Sequence, residues 1–319
     1  MLVGCVVEAV AIHAQARGMI DATILIPTHR HAALLPYAVR SALAQEGAEI
    51  EVFVVGDGVE DATRTALKPF LDDSRVRFFD FPKGQRLGEQ HRHTALQEAR
   101  GRIVTYLSDD DILLPDHVVE MQRLLEDANF AHAAPIVVTP EGQVNLLQMD
   151  VSRPEFVARM YRGRSRIGLT GAAHTREAYD RLPYGWRPAP PDVYGDLHMW
   201  LQFTDQSWFR GQTGRHLTML HFPDSERRHL STQERVAELE DWWKRSREPG
   251  FQEKLDDLLV EQIRCLAVNL KIQAMDLKDR VAELERLRTP RWLRAKRALA
   301  ALPPARALLA RRTRDAGRA

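Results

Sequence analysis

Asp109, Asp110 and Asp111 stand side by side at the end of the apolar run Ile103–Leu107, separated from it only by Ser108. Adjacent carboxylates repel one another and raise each other's pKa unless a cation or backbone donors neutralise them. A divalent ion is the economical answer. Oxygen ligands suit Mg2+ or Mn2+, which take the rest of their coordination from water and substrate phosphates, so a nucleoside diphosphate is the matching partner. The plainer alternative is that the acids cap the helix opening at Pro115, because negative charge complements a helix N-terminus. Asp111 is expected to do that, whereas Asp109 and Asp110 sit tight against the strand end and are read as the ligand-bearing pair.

The elements that must position these groups show in the hydrophobic pattern. Ala22–Ile26, Ile50–Val55, Arg75–Phe81 and Arg102–Leu107 read as strands. Between them lie amphipathic segments: a helix opened by Pro36, one from about 61 to 71, and one near 88–100. A fourth helix, after Pro115, buries Val118, Met121, Leu124 and Leu125. Such β-α alternation with continuous apolar strands predicts an α/β fold whose parallel sheet is covered on both faces. Ligands of such sheets sit beyond the carboxyl ends of the strands. Pro27-Thr28-His29, Asp57 and Ser108-Asp109-Asp110 each follow a strand, so they are expected to meet at one edge.

These residues also carry a resemblance. Pro27-Thr28, Val55-Gly56-Asp57-Gly58, the segment His91–Gly101 and the segment Tyr106–Pro115 occur in the order and at the spacing of inverting family 2 glycosyltransferases. Over about 22–201 the chain resembles a nucleotide-sugar transferase of GT-A fold. The resemblance implies a Rossmann-like, mostly parallel sheet flanked by helices, and a nucleotide-sugar donor, UDP-linked. It carries Asp57 to the uracil N3 proton, Arg92 to base or phosphate, Asp109 to the ribose and Asp110 to the metal, with Pro27, Thr28 and His29 in the nucleotide-binding loop. The chain departs from the family pattern at Gly56 and Ser108, where an aspartate is common, and at His29-Arg30-His31, where Tyr-Asn-Arg is more usual.

Inverting transfer needs a carboxylate to take the acceptor hydroxyl's proton. The resemblance places it before an aromatic-containing helix. Within Tyr194–Phe203 that is Asp196, with Asp192 as competitor and a helix cap as the alternative for either. His221 is the candidate second-half metal ligand, with His229 a further option. Lys83 and Arg86 read as solvated surface, and His174 as a group able to line the pocket.

Past 131, a hairpin around Thr139–Gly142 precedes the Pro-, Gly- and aromatic-rich stretch Arg181–Asp196, which reads as a loop-built pocket. Ser231 and Glu234 form a capping-box pattern. From Gln252 to Leu287 a charged helix carries one apolar seam that fits either packing on the domain or a homodimeric coiled coil. The organisation expected is an extension over 1–18, a GT-A domain over 19–230 in halves of about 22–130 and 131–230, a helical extension over 231–288 and a basic amphipathic tail over 289–319. That tail fits an anionic membrane surface, where a lipid-linked acceptor is found.

The 45 basic and 44 acidic residues leave a net charge of +1, which gives no pull toward nucleic acid. Two distant cysteines exclude a disulfide framework, and the apolar runs are too short to cross a bilayer, so a cytoplasmic location is expected, peripheral to the membrane at most. A sugar nucleotidyltransferase shares the sheet architecture, but Pro27-Thr28-His29-Arg30 is no glycine-rich loop. A non-catalytic assembly protein predicts a degraded site, whereas Asp57, Asp109, Asp110 and Asp196 are all present.

Overall fold

The computed structural model describes residues 19–288, apart from 135, 148 and 164–166. The expectations for 1–18 and 289–319 lie outside the described residues. Strands β1 (Ala22–Thr28), β2 (Ile50–Asp57), β3 (Val76–Phe81) and β4 (Ile103–Tyr106) run parallel in the order β4-β1-β2-β3. The sheet continues past β4 through β9 (Ala172–Thr175), which is antiparallel to both β4 and β6 (Phe130–His132); β10 (Gly211–Thr213) closes that edge beside β6.

Both faces of the sheet are covered, and the alternation of side chains shows how. Ile24 and Ile26 of β1 and Val52 and Val54 of β2 pack with α1 (Leu35–Leu43) and α4 (His117–Leu125). Their neighbours Leu25, Phe53 and Val55 point the other way, onto α3 (Glu89–Leu96), α6 (Arg176–Asp180) and α7 (Gly195–Thr204). Two-sided burial is why these strands read as unbroken apolar runs. The helix after β2, α2 (Asp61–Leu67), is shorter than expected because Pro69 falls in a 3-10 turn, Lys68–Phe70.

A third apolar cluster lies beside the strand ends. It joins β5 (Ile112–Leu113) and β11 (Met219–Leu220), the hairpin β7 (Ile136–Val138) and β8 (Val144–Leu146), α8 (Thr232–Ser246) and the start of α9 (Phe251–Arg288). Trp242, Leu239, Phe251 and Leu255 are all nearly fully buried there, each contributing about 1.5–3 kcal/mol of hydrophobic stabilisation. Ser231 accepts from the Glu234 N–H while Glu234 reaches back to the Ser231 N–H, so the expected capping box starts α8. Arg227, buried against Glu238 and the Val138 carbonyl, ties α8 to the hairpin. From Val260 onward α9 belongs to a unit of its own, on which Ile263, Leu270, Leu277, Val281 and Leu284 are exposed.

Candidate active site

The strand ends meet as the sheet topology requires. β1 ends at Thr28, opposite Gly56 of β2, and β4 on its other side leads into Asp109–Asp111. The loop after β1 touches both neighbours: His29 Nδ1 donates to the Asp57 carbonyl at 2.6 Å, and His31 Nδ1 donates to Asp109 Oδ1 at 2.8 Å.

Asp57 is buried and doubly held. Its Oδ2 accepts from Lys83 Nζ and its Oδ1 from the Gly84 N–H, each at 2.6 Å. Lys83, expected on the solvated surface, is thus a partner of the candidate base-reading carboxylate. Two glycines in left-handed conformation permit this. A Cβ on Gly58 would come within 2.6 Å of Lys83 Cβ, and one on Gly88 within 2.6 Å of Asp57 Cγ. Arg86 turns elsewhere, donating to the carbonyls of Pro191 and Val193.

Arg92, on α3, is buried with its guanidinium over the Trp186 ring at 4.7 Å. Burial pushes its pKa down, opposed by the fields of Glu89, Asp196, Tyr106 and Asp57. Among the described residues, Arg92 Nε, Glu89 Oε1 and Thr28 Oγ1 are buried without a hydrogen-bond partner. These are groups a bound ligand can satisfy. Asp196 occupies the first turn of α7 beside Gly195, and a Cβ on Gly195 would lie 2.6 Å from Glu89 Oε1. Asp192 lies outside the helix on an exposed turn.

The three neighbouring aspartates have different surroundings. Asp111 is completely buried, and burial would raise its pKa; His221 at 2.9 Å, the Thr170 hydroxyl and the Phe222 N–H at 2.8 Å instead hold it below the usual carboxylate range. The capping expectation for Asp111 is therefore corrected. The helix begins at His117 behind Asp116, which makes no side-chain cap bond, and Asp111 anchors the chain to β11's exit. Asp109 is paired with His31, whose pKa that hydrogen bond raises to about 9. Asp110 is pushed up to about 7 by burial and by its two acidic neighbours, with His31 and Arg235 opposing.

His31, Asp110 and Asp224 offer ligand atoms within 4.8 Å of one another. Two carboxylates and an imidazole suit Mn2+ better than Mg2+, which demands near-ideal octahedral oxygen ligation. The donor chemistry thus fits a divalent ion on Asp110. His221 is not in this group: its Nδ1 serves Asp111. Nor does His174 line the pocket. It is fully buried on β9, hydrogen-bonded at 2.8 Å to Tyr106, and burial lowers its pKa to about 4. His229 is exposed.

Sequence reasoning did not find Arg235. Its Nη2 donates to Asp110 Oδ2 at 2.9 Å and its Nη1 to Asp224 Oδ1 at 2.8 Å. It also missed Asp224 and Thr170. The one available signal was the capping box, which places Arg235 in the first turn of a helix and so near a loop end.

A mostly parallel sheet flanked by helices, with carboxylates at the ends of β2 and β4, is an α/β fold of GT-A type. Residues 23–180 match the family model "Glycosyl transferase family 2", and over that segment the chain belongs to this family. It is 36% identical over 113 residues to the succinoglycan biosynthesis protein ExoO of Rhizobium meliloti, covering 35% of this chain and 31% of that protein. It is 28% identical over 112 residues to a GalNAc(5)-diNAcBac-PP-undecaprenol beta-1,3-glucosyltransferase of Campylobacter jejuni, covering 35% of each. The chain thus spans about a third of the length of these curated relatives. Among solved structures it superimposes on residues 1–349 of S. aureus TarS in complex with UDP-GlcNAc, with a TM-score of 0.52 and 13% identity. The match covers 64% of this chain and 59% of that one, and it shows the fold. No described helix is long and apolar enough to cross a membrane.

Proposed function

We propose that the chain transfers a sugar, with inversion, from a UDP-linked donor to a hydroxyl of a glycan or lipid-linked acceptor. The observation that carries this reading is the convergence of Asp57, Asp109 and Asp110 at the ends of the two strands that flank β1, with Arg92 in the fields of both Asp57 and Asp196. Asp57 reads the base; its carboxylate has lone pairs beyond those given to Lys83 and Gly84. Asp109 takes the ribose, with Pro27, Thr28 and His29 as the wall of the nucleotide pocket. Arg92 meets phosphate. Asp110, with His31 and Asp224, would hold Mn2+ or Mg2+, which supplies positive charge to the leaving diphosphate.

Asp196 then acts as general base. It takes the acceptor hydroxyl's proton as the acceptor oxygen bonds to the anomeric carbon and the bond from that carbon to the diphosphate oxygen breaks, the electron pair leaving with UDP. The TarS complexes with UDP-GlcNAc and UDP support a uridine donor, and the Campylobacter relative supports a lipid-linked acceptor. The apolar seam of α9 fits a second copy of the same helix, and the basic tail fits an anionic membrane; sedimentation equilibrium and vesicle co-sedimentation test the two.

The deciding experiment measures UDP binding and sugar transfer across a panel of nucleotide sugars for the wild type and Asp196→Asn. The variant should bind UDP normally and lose about 100-fold or more in transfer. Full transfer by the variant would remove Asp196 from the role of base.

A further inference from the structure

Arg235 bridges the two carboxylates that the candidate ion site depends on. Its side chain is only 12% exposed, with one guanidinium nitrogen on Asp110 and another on Asp224. His31 lies 4.0 Å from each of the same two acids. The carrier helix is fixed: the capping box sets its first turn, Arg227–Glu238 ties it to the hairpin, and Leu239 and Trp242 bury its inner face. The guanidinium is thus held between the carboxylates by a rigid support. A divalent ion takes carboxylate oxygens at about 2.0–2.2 Å, well inside the distance at which a guanidinium donates to them.

We propose that Arg235 is a resident cation that competes with the divalent ion for Asp110 and Asp224, so that the ion enters by displacing the guanidinium. The displaced arginine keeps its charge and its flexible stem beside the site. A diphosphate arriving there is the natural new partner, since a guanidinium matches phosphate oxygens in planar, two-point geometry. Drawing Arg235 onto the diphosphate vacates the carboxylates for the ion, so donor and ion assist each other's binding. That coupling is reciprocal by thermodynamic necessity. The inference rests on the reading of Asp110 as the ion's ligand.

The test titrates Mn2+ alone, and then Mn2+ with UDP, following free Mn2+ by electron paramagnetic resonance for the wild type, Asp110→Asn, Arg235→Gln and Arg235→Lys. Asp110→Asn should weaken Mn2+ binding. Arg235→Gln should tighten it by about tenfold without UDP and reduce the gain that UDP confers. Arg235→Lys keeps the charge but has a single ammonium in place of the two-armed fork, so it should fall between wild type and Gln; it decides the matter if the Gln variant does not fold. Mn2+ affinity unchanged within twofold in the Arg235 variants, with Asp110→Asn still weakening it, overturns the competition and leaves the ion site standing. No effect of Asp110→Asn overturns both.

Discussion

The two ends of the candidate donor site neutralise buried carboxylates in different ways. At the base end, Asp57 is satisfied by Lys83 and the Gly84 N–H, which share one loop, the one that leaves the adjacent strand β3. At the cation end, Asp109, Asp110 and Asp111 take their side-chain partners from His31, Arg235, Thr170 and His221, on four separate segments of chain. The base end can therefore form as soon as the parallel strands pair. Apart from the His31–Asp109 pair, the cation end is complete only when the second half and α8 have docked, and its charge balance depends on side chains able to change partners.

The sharpest way to break this comparison is at Asp111. Removing its carboxylate in Asp111→Ala leaves the Phe222 N–H, the Thr170 hydroxyl and a charged or newly neutral His221 without their shared acceptor. The loss should be about 2–4 kcal/mol of stability, discounted from the usual cost of breaking a buried pair because His221 is partly exposed. Urea denaturation reads it. A variant as stable as wild type would mean that Asp111 does not hold the two halves together.

Asp57→Ala should separate binding from stability. Lys83 is half-exposed and can turn to water, so the fold should lose about 1 kcal/mol, the net worth of an ordinary hydrogen bond. UDP affinity should fall by about tenfold or more, because a hydrogen bond to a charged group contributes about 1.5–3 kcal/mol. Calorimetric titration with UDP checks this, and equal affinity in the variant would remove Asp57 from base recognition.

The same asymmetry explains what could be read from the sequence. β1, β2 and β4 were legible because strands buried on both faces read as apolar runs, β3 at the sheet edge through its Val76, Phe78, Phe79 and Phe81, and the rule that ligands gather at the strands' carboxyl ends brought out Asp57, Asp109 and Asp110. Ser231 and Glu234 announced α8 through local hydrogen-bond chemistry. Arg235, Asp224 and Thr170 were not legible, since what makes them part of the site is tertiary docking, and an arginine in a helical first turn reads as ordinary surface. Lys83 was missed for a related reason: its path back to Asp57 depends on close approaches at Gly58 and Gly88 that no periodicity reveals. Asp111 shared its neighbours' charge, and only the fold shows that it faces β11's exit rather than the helix below.

The smallest effect, and the most specific to the cation end, is a pH dependence of stability. His31 is raised from 6.5 to about 9 by Asp109, so its contribution is fully present below pH 6.5 and is lost as pH rises through 9. Asp110 is raised from 3.8 to about 7, so the folded state also loses stability as pH climbs from about 4 to 7. The two windows abut, and stability should decline in both with rising pH. His31→Gln should abolish the upper part of the decline, about 1–2 kcal/mol after screening at a site one-third exposed, and Asp110→Asn the lower part. Urea midpoints measured in chelator from pH 4 to 9 separate the windows. If His31→Gln leaves the slope between pH 7 and 9 intact, the His31–Asp109 pair does not carry the charge balance, and Asp110 would be balanced by Arg235 rather than by His31.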